Sequence, residues 1–261
     1  VTNGASIRFG VPFTESDTVF FGSGIESITI TEGVTPLPLA WQRYREQFGE
    51  TSPSVPLTLG WSRDKRDSAL VPTSGLFQRV NADWGVAGDV KYLRSSYQIQ
   101  HYIPLNKQFT IGLNGEIGWG KGLNGQPYPI FKNFYSGGLG SVRGFAQGSL
   151  GSVKGGTVET DVNGNRIALG GPKKITLNAE LSAPFPGAGN DRTLRMYTFV
   201  DAGNVFGPNE SYSLADMRAS VGVGVSWISP VGPLRLAFGR AIRKQEGDRL
   251  QAVQFQIGTS F

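Results

Sequence analysis

Hydrophobic and polar residues alternate along most of this chain. Ile175, Leu177, Ala179 and Leu181 share one face, and Thr176, Asn178, Glu180 and Ser182 share the other. A period of two marks a strand with two unlike faces. The pattern recurs where Val55, Leu57, Leu59 and Trp61 oppose Thr58, Gly60 and Ser62. It recurs again where Phe109, Ile111, Leu113, Ile117 and Trp119 oppose Thr110, Asn114 and Glu116. Leu194, Met196, Val200 and Ala202 stand against Arg195 and Asp201, and Ala219, Val221, Val223, Val225 and Trp227 stand against small residues. Such segments predict about eleven strands, over roughly 4–11, 18–30, 55–64, 75–88, 91–103, 108–121, 166–183, 193–206, 217–228, 233–244 and 250–261. Only Leu39 to Phe48 reads as a helix, a short one inside a loop.

A soluble sandwich also alternates, so the nature of each face decides between the two. The predicted strands run to about 9–14 residues, against a mode of five or six in soluble sheets. Their apolar faces end in aromatics, namely Trp61, Trp119, Trp227 and Phe261, as at a bilayer interface. The opposite faces carry isolated charges, including Arg79, Asp83, Arg94, Glu116, Glu180 and Asp201. A wet lumen tolerates these, whereas a dry core would not. The fold class expected is therefore all-β, a transmembrane antiparallel barrel of the outer-membrane type.

The connections alternate in length as well. Those near 31–54, 122–165 and 207–215 are long, and those near 12–17, 104–107 and 229–232 are short. Outer-membrane barrels keep short turns on the periplasmic side and long loops outside. With the last strand running inward, every long loop falls outside, and so does Val1. Single-chain bacterial barrels have even strand counts. The expectation is that at least one strand precedes Val1. Val1 to Gly4 also lacks the basic and apolar regions of a signal peptide, so the chain reads as mature, processed or a fragment.

Composition narrows the chemistry. Mean hydropathy is −0.18, and no run approaches the ~18 apolar residues of a spanning helix. The 25 Lys and Arg are scattered among 20 Asp and Glu, and the densest basic cluster, Arg240 to Lys244, is short. A solvated rim is expected there, with no nucleic-acid partner. There is no Cys and one His, His101, which shares the apolar face of Tyr97 and Ile99. It reads as an interfacial residue. Neither a Ser/His/Asp triad nor an ordinary zinc site finds enough donors. No enzyme, metal site or cofactor is expected.

The longest connection, 122–165, holds Tyr135-Ser136-Gly137-Gly138-Leu139-Gly140-Ser141-Val142-Arg143-Gly144-Phe145. Loops this long are functional or disordered. The aromatics Phe131, Phe134, Tyr135 and Phe145 call for a packing surface. Two readings stand: a solvated glycine-rich loop, or a hairpin-like tongue that presents Arg143 to a carboxylate. A guanidinium taken from water without a partner costs several kcal/mol. Glu180 and Asp201 are the candidate partners, since both sit on polar faces of the two strands after the loop. Strands about 4.8 Å apart would let both reach one fork-shaped donor. The closing segment, with Phe255, Ile257, Gly258 and Phe261, alternates to the last residue and reads as a terminal strand open to recognition by strand addition.

Val142-Arg143-Gly144-Phe145 after a Gly-Gly pair resembles the signature loop of the BamA family. Further stretches match in order: Trp61 to Gly75, Phe199 to Val205, Ser226 to Leu234 with its Ser-Pro-x-Gly-Pro-Leu run, and Phe255 to Phe261. The resemblance implies about the last eleven or twelve strands of a roughly sixteen-stranded barrel, with periplasmic POTRA domains and the first strands absent. It implies that residues 1–261 are the C-terminal part of one barrel domain and that 122–165 folds into the lumen. It also implies insertion of β-barrel proteins into the Gram-negative outer membrane without a cofactor. The partners implied are membrane lipids, unfolded outer-membrane barrel clients and, through the POTRA domains, assembly lipoproteins. Arg143 would match the family's loop arginine, and Glu180 and Asp201 its acidic partners. Alternatives are a two-partner-secretion transporter and a passive pore.

Overall fold

The computed structural model describes residues 1–33, 36–161, 164–187, 193–229 and 232–258. Six strands come first: β1 (Thr2–Pro12), β2 (Asp17–Thr29), β3 (Thr51–Asp64), β4 (Gly75–Gly88), β5 (Tyr92–Pro104) and β6 (Thr110–Gly122). The long connection holds the short β7 (Gly144–Phe145), β8 (Val158–Thr160) and β9 (Arg166–Ala168). Then follow β10 (Lys173–Pro184), β11 (Leu194–Phe206), β12 (Arg218–Ser229), β13 (Gly232–Arg243), β14 (Leu250–Gln251) and β15 (Val253–Ile257). The helix α1 spans Leu39–Phe48, inside the β2–β3 connection.

Eleven strands form one antiparallel sheet in the order β1-β2-β3-β4-β5-β6-β10-β11-β12-β13-β15. Each wall strand pairs with the next, apart from the excursion between β6 and β10 and the short β14 between β13 and β15. The long wall strands run 11 to 14 residues, enough to cross a bilayer when tilted. β1 and β15 end the sheet and do not pair with each other, so the described residues do not close a barrel.

The alternation decides the two faces. Leu59, Val200, Val223, Phe238 and Phe255 lie exposed on the outer side. Exposed large apolar side chains on every wall strand but β5 make sense only against lipid. The dry part of the molecule lies on the other side, between the long loop and the inner wall. Val142, Phe145 and Leu150 form one fully buried cluster, and Tyr197, Phe199 and Ala237 form a second.

Tight turns are set by local side-chain bonds. The Asn106 carboxamide oxygen accepts the Gln108 and Phe109 amides at 2.8 Å each, closing β5 onto β6. Asp17 N–H donates to the Thr14 hydroxyl at 3.0 Å between β1 and β2. In the longer 65–74 turn, Asp67 accepts the Thr73 and Ser74 amides at 2.8 and 3.1 Å, and the Thr73 hydroxyl as well. Burial opposes the charge on Asp67, but these bonds outweigh it and hold the carboxyl below its ordinary range.

Two strand boundaries depart from the expectation. The strand expected over 166–183 begins at Lys173. Arg166–Ala168 instead turns back on Val158–Thr160 as a hairpin, and Gly170, with φ of +69°, breaks the run before the wall. The last strand, expected over 250–261, is split. Val253–Ile257 pairs with β13, while Leu250–Gln251 turns to pair with Gly144–Phe145 of the loop. Period two shows that a segment is extended, but it cannot say which neighbour takes its backbone bonds.

Candidate functional site

The connection between β6 and β10 folds back on itself as a tongue. Leu150 N–H donates to Ser136 O at 3.0 Å and Gly148 N–H to Gly137 O at 3.1 Å. The Ser136 and Ser141 hydroxyls meet at 2.7 Å. These bonds project Val142 to Phe145 onto the inner face of β10–β13. Glycine is required where the tongue touches the wall. A Cβ on Gly239 of β13 would stand 2.8 Å from the Gly144 nitrogen, and Gly144 itself has φ of +85°. Both positions therefore exclude side chains.

Arg143 is 4% exposed. Its Nε and Nη2 donate to the two oxygens of Asp201 at 2.7 Å each, the bidentate fork that suits guanidinium to carboxylate. Its Nη1 donates to Glu180 at 2.8 Å, and its own backbone N–H donates to Asp201 at 3.0 Å. Burial disfavours the charged form, but the two carboxylates outweigh it and raise the guanidinium above its ordinary range. The group is a permanent cation here.

The two carboxylates have different surroundings. Asp201 is fully buried and accepts a fourth bond from Asn178 Nδ2 at 2.8 Å. Asn178 and Asp201 are partners in the β10–β11 register. Asn178 belongs to a chain of amides across the wall, with Gln98 donating to Asn114 at 3.0 Å and Asn114 to Asn178 at 2.8 Å. Glu180 is half-wet and shared, since Arg235 of β13 reaches it at 3.0 Å.

Aromatic rings complete the seat. The Arg143 guanidinium lies 3.7 Å from the Phe199 ring centre and 5.4 Å from that of Tyr197. Those rings lie over a glycine strip on β12. A Cβ at Gly222 would come within 2.4 Å of Phe199, and one at Gly224 within 2.4 Å of Tyr197. The Tyr197 hydroxyl donates to Leu236 O at 3.1 Å.

The structure thus brings Val142, Arg143, Gly144, Phe145, Glu180 and Asp201 together. Phe255 and Ile257 are on the outer side, 61% and 63% exposed, away from the ion cluster. Gly258 has φ of +86° and donates its N–H to Pro233 O at 2.8 Å. Phe261 lies outside the described residues. His101 is exposed on the outer face of β5.

Sequence reasoning missed Arg235, the Tyr197–Phe199 floor and Gln254. Parity alone puts all four on the inner face, but nothing in one dimension shows that the tongue reaches them. A second buried ion pair also went unseen. Arg218 of β12 donates to Asp248 at 3.0 Å, and to Asn204 and Gly151 O. It ties the β6–β10 connection at Gly151 and the β13–β14 connection at Asp248 to β11 and β12.

A family model described as the Omp85 superfamily domain matches residues 1–261. The chain belongs to the Omp85 superfamily. This Omp85 chain is 35% identical to the outer membrane protein assembly factor BamA of Neisseria meningitidis serogroup B, over 100% of the chain and 36% of the relative. It is 30% identical to BamA of Nitratidesulfovibrio vulgaris, over 91% of the chain and 29% of that relative. The crystal structure of BamA from Haemophilus ducreyi lacking POTRA domains 1-3 superposes with a TM-score of 0.83 at 25% identity. That match covers 97% of the chain and 53% of the solved one. The Omp85 chain spans about a third of the length of these curated relatives. It is an outer-membrane barrel chain of the bacterial BamA type, and its eleven strands are barrel wall.

Proposed function

We propose that this chain is the C-terminal wall, with its tongue, of an insertase that assembles β-barrel proteins into the bacterial outer membrane. The observation that carries the reading is the contrast in pairing at the end of the sheet. Among the described residues β15 pairs with β13 over five residues, while β5 pairs with β6 over thirteen. Unpaired backbone groups are costly in lipid. A terminal strand held to the wall by few pairs is an acceptor for another chain's strand by β-augmentation. The similarity to two proteins named as assembly factors supports the same reading.

In this mechanism the clients are unfolded outer-membrane barrel proteins, and the membrane lipid is the second partner. No covalent step is involved, so the protein acts without catalytic residues or cofactor. The tongue occupies the lumen and holds β10 to β13 in one arrangement through Arg143, Glu180 and Asp201. Phe255, Ile257, Gly258 and Phe261 form the strand at the seam. The remaining strands and periplasmic POTRA domains complete the protein, and assembly lipoproteins dock on those domains.

The test uses the full-length protein in vesicles with a urea-unfolded client barrel. Client folding should exceed that in empty vesicles, and Gly258→Val should lower it. Client folding equal to that in empty vesicles, with steady single-channel conductance in planar bilayers, would overturn the reading in favour of a passive pore.

A further inference from the structure

The last strand makes a contact with the tongue that the arginine clasp does not explain. Gln254 of β15 is 5% exposed and points inward. Its Nε2 donates to Phe145 O at 2.7 Å, and its Oε1 accepts the Gly144 N–H at 3.3 Å. One side-chain amide thus bonds the tongue backbone as a strand neighbour would. Just upstream, Leu250 and Gln251 pair with Phe145 and Gly144 by main chain, and Ala146 N–H donates to Arg249 O at 2.8 Å. Two successive tongue amides are therefore capped from two different wall strands, Arg143 by Asp201 on β11 and Gly144 by Gln254 on β15.

We infer that Gln254, seated on the tongue backbone at Gly144–Phe145, sets the register of the last strand against β13. It is a positioning residue, which transmits the clasped position of the tongue to the seam. The inference deepens the insertase reading, and rests on it only for the importance of the seam. The wall ladder by itself specifies register weakly. It offers five pairs, from Phe238↔Val253 to Leu234↔Ile257. A slip of two residues keeps Val253, Phe255 and Ile257 on the lipid side, so the hydrophobic pattern does not resist it. The tongue resists the slip that brings Ala252 to Gly144, because both amide bonds are then lost, whereas in the opposite slip Gln256 carries the same amide. A chain end held by few pairs needs an external gauge, and the tongue is fixed independently by two carboxylates. The residue must both donate and accept, which a side-chain amide does from two separate atoms. Glu at 254 would set a second oxygen against the Phe145 carbonyl.

The chain contains no Cys, so register can be read by disulfide capture in the full-length protein with any other Cys replaced. Leu236 opposes Phe255. The pair L236C/F255C reports native register, and L236C/V253C and L236C/I257C report the two slips. With Gln254 present, the native pair should dominate. In Gln254→Ala the ratio of native to slipped capture should fall on the order of tenfold, the scale of two net hydrogen bonds. Gln254→Glu should also slip. Capture is counted only in molecules with the heat-shifted mobility of a folded barrel, and Gln254→Asn, with a shorter amide, replaces the alanine variant if that one does not fold. Unchanged capture at 236–255 would overturn the inference. Loss of all three products from a folded barrel would also overturn it, because the contact would then hold the strand on without setting its register. Client assembly is measured in the same vesicles. A slipped register with unimpaired assembly sinks the insertase role of the seam and leaves the register role standing.

Discussion

Arg143 and Arg79 are both arginines on the polar side of the same sheet system, and they lead opposite lives. Arg79 of β4 is exposed, and its side chain makes no hydrogen bond or ion pair among the described residues. Arg143 is buried, forked onto Asp201, bonded to Glu180 and stacked on Phe199. The difference lies in cover. Around Arg143 and Asp201 the tongue excludes water, so each ion must be matched. Over β4 the inner face is open and water does the matching. Between them sits Arg94 of β5, 3.4 Å from Asp83, with both side chains about 30% exposed. A polar inner face is therefore a permissive surface, and a loop laid on it turns one patch into a determined site.

Removing Asp201 should break this contrast most severely. Asp201→Ala leaves Arg143, its backbone N–H and Asn178 without their acceptor in a dry place. The expected loss is about 3–5 kcal/mol. It should appear as a lower urea midpoint, with amide exchange rising in 136–150. Gly239→Ala tests the close approach without touching a charge. The added methyl meets the Gly144 nitrogen at 2.8 Å, and the expected cost is about 1–3 kcal/mol by the same midpoint. A variant as stable as the parent would show that the tongue has room to withdraw.

Arg94→Ala should cost less, about 1 kcal/mol or below, as half-exposed pairs do. Salt should weaken the parent toward the variant, whereas 1 M salt should leave the Arg143 clasp largely intact. Arg79→Ala should lie within about 0.5 kcal/mol of the parent. A large effect there would mean that the open side is also a determined site. The smallest effect expected is that of pH on the 65–74 turn. Asp67 has a lowered pKa in the folded state, so its stabilisation is present above the ordinary carboxylate value near 4. It is lost as pH falls through the lower folded value. Exchange at the Thr73 and Ser74 amides should rise over that window, and Asp67→Asn should abolish the change.

Alternation alone made the strands legible. Lipid outside and polar contacts inside impose a period of two on each wall strand, and the pattern at Ile175–Ser182 needs no tertiary information. The same parity placed Glu180, Asp201 and Asn178 on the inner face. The glycine-rich stretch with one charge, 142–145, marked itself as an unusual loop because a lone arginine among apolar neighbours needs a carboxylate. The residues that complete its seat could not be read in this way. Gly222 and Gly224 look like ordinary small residues until Phe199 and Tyr197 lie over them. Arg235 looks like any inward charge until it shares Glu180.

What the sequence determined by itself was local and periodic: which residues are extended, which side of each strand is greasy, and which loop is too long and too aromatic to be a linker. What only the tertiary structure decided was pairing between distant segments. The split of the final strand between β13 and the tongue is the clearest case, because the same extended backbone can bond either neighbour. The choice depends on where a loop a hundred residues earlier comes to rest, and two carboxylates on β10 and β11 hold it there.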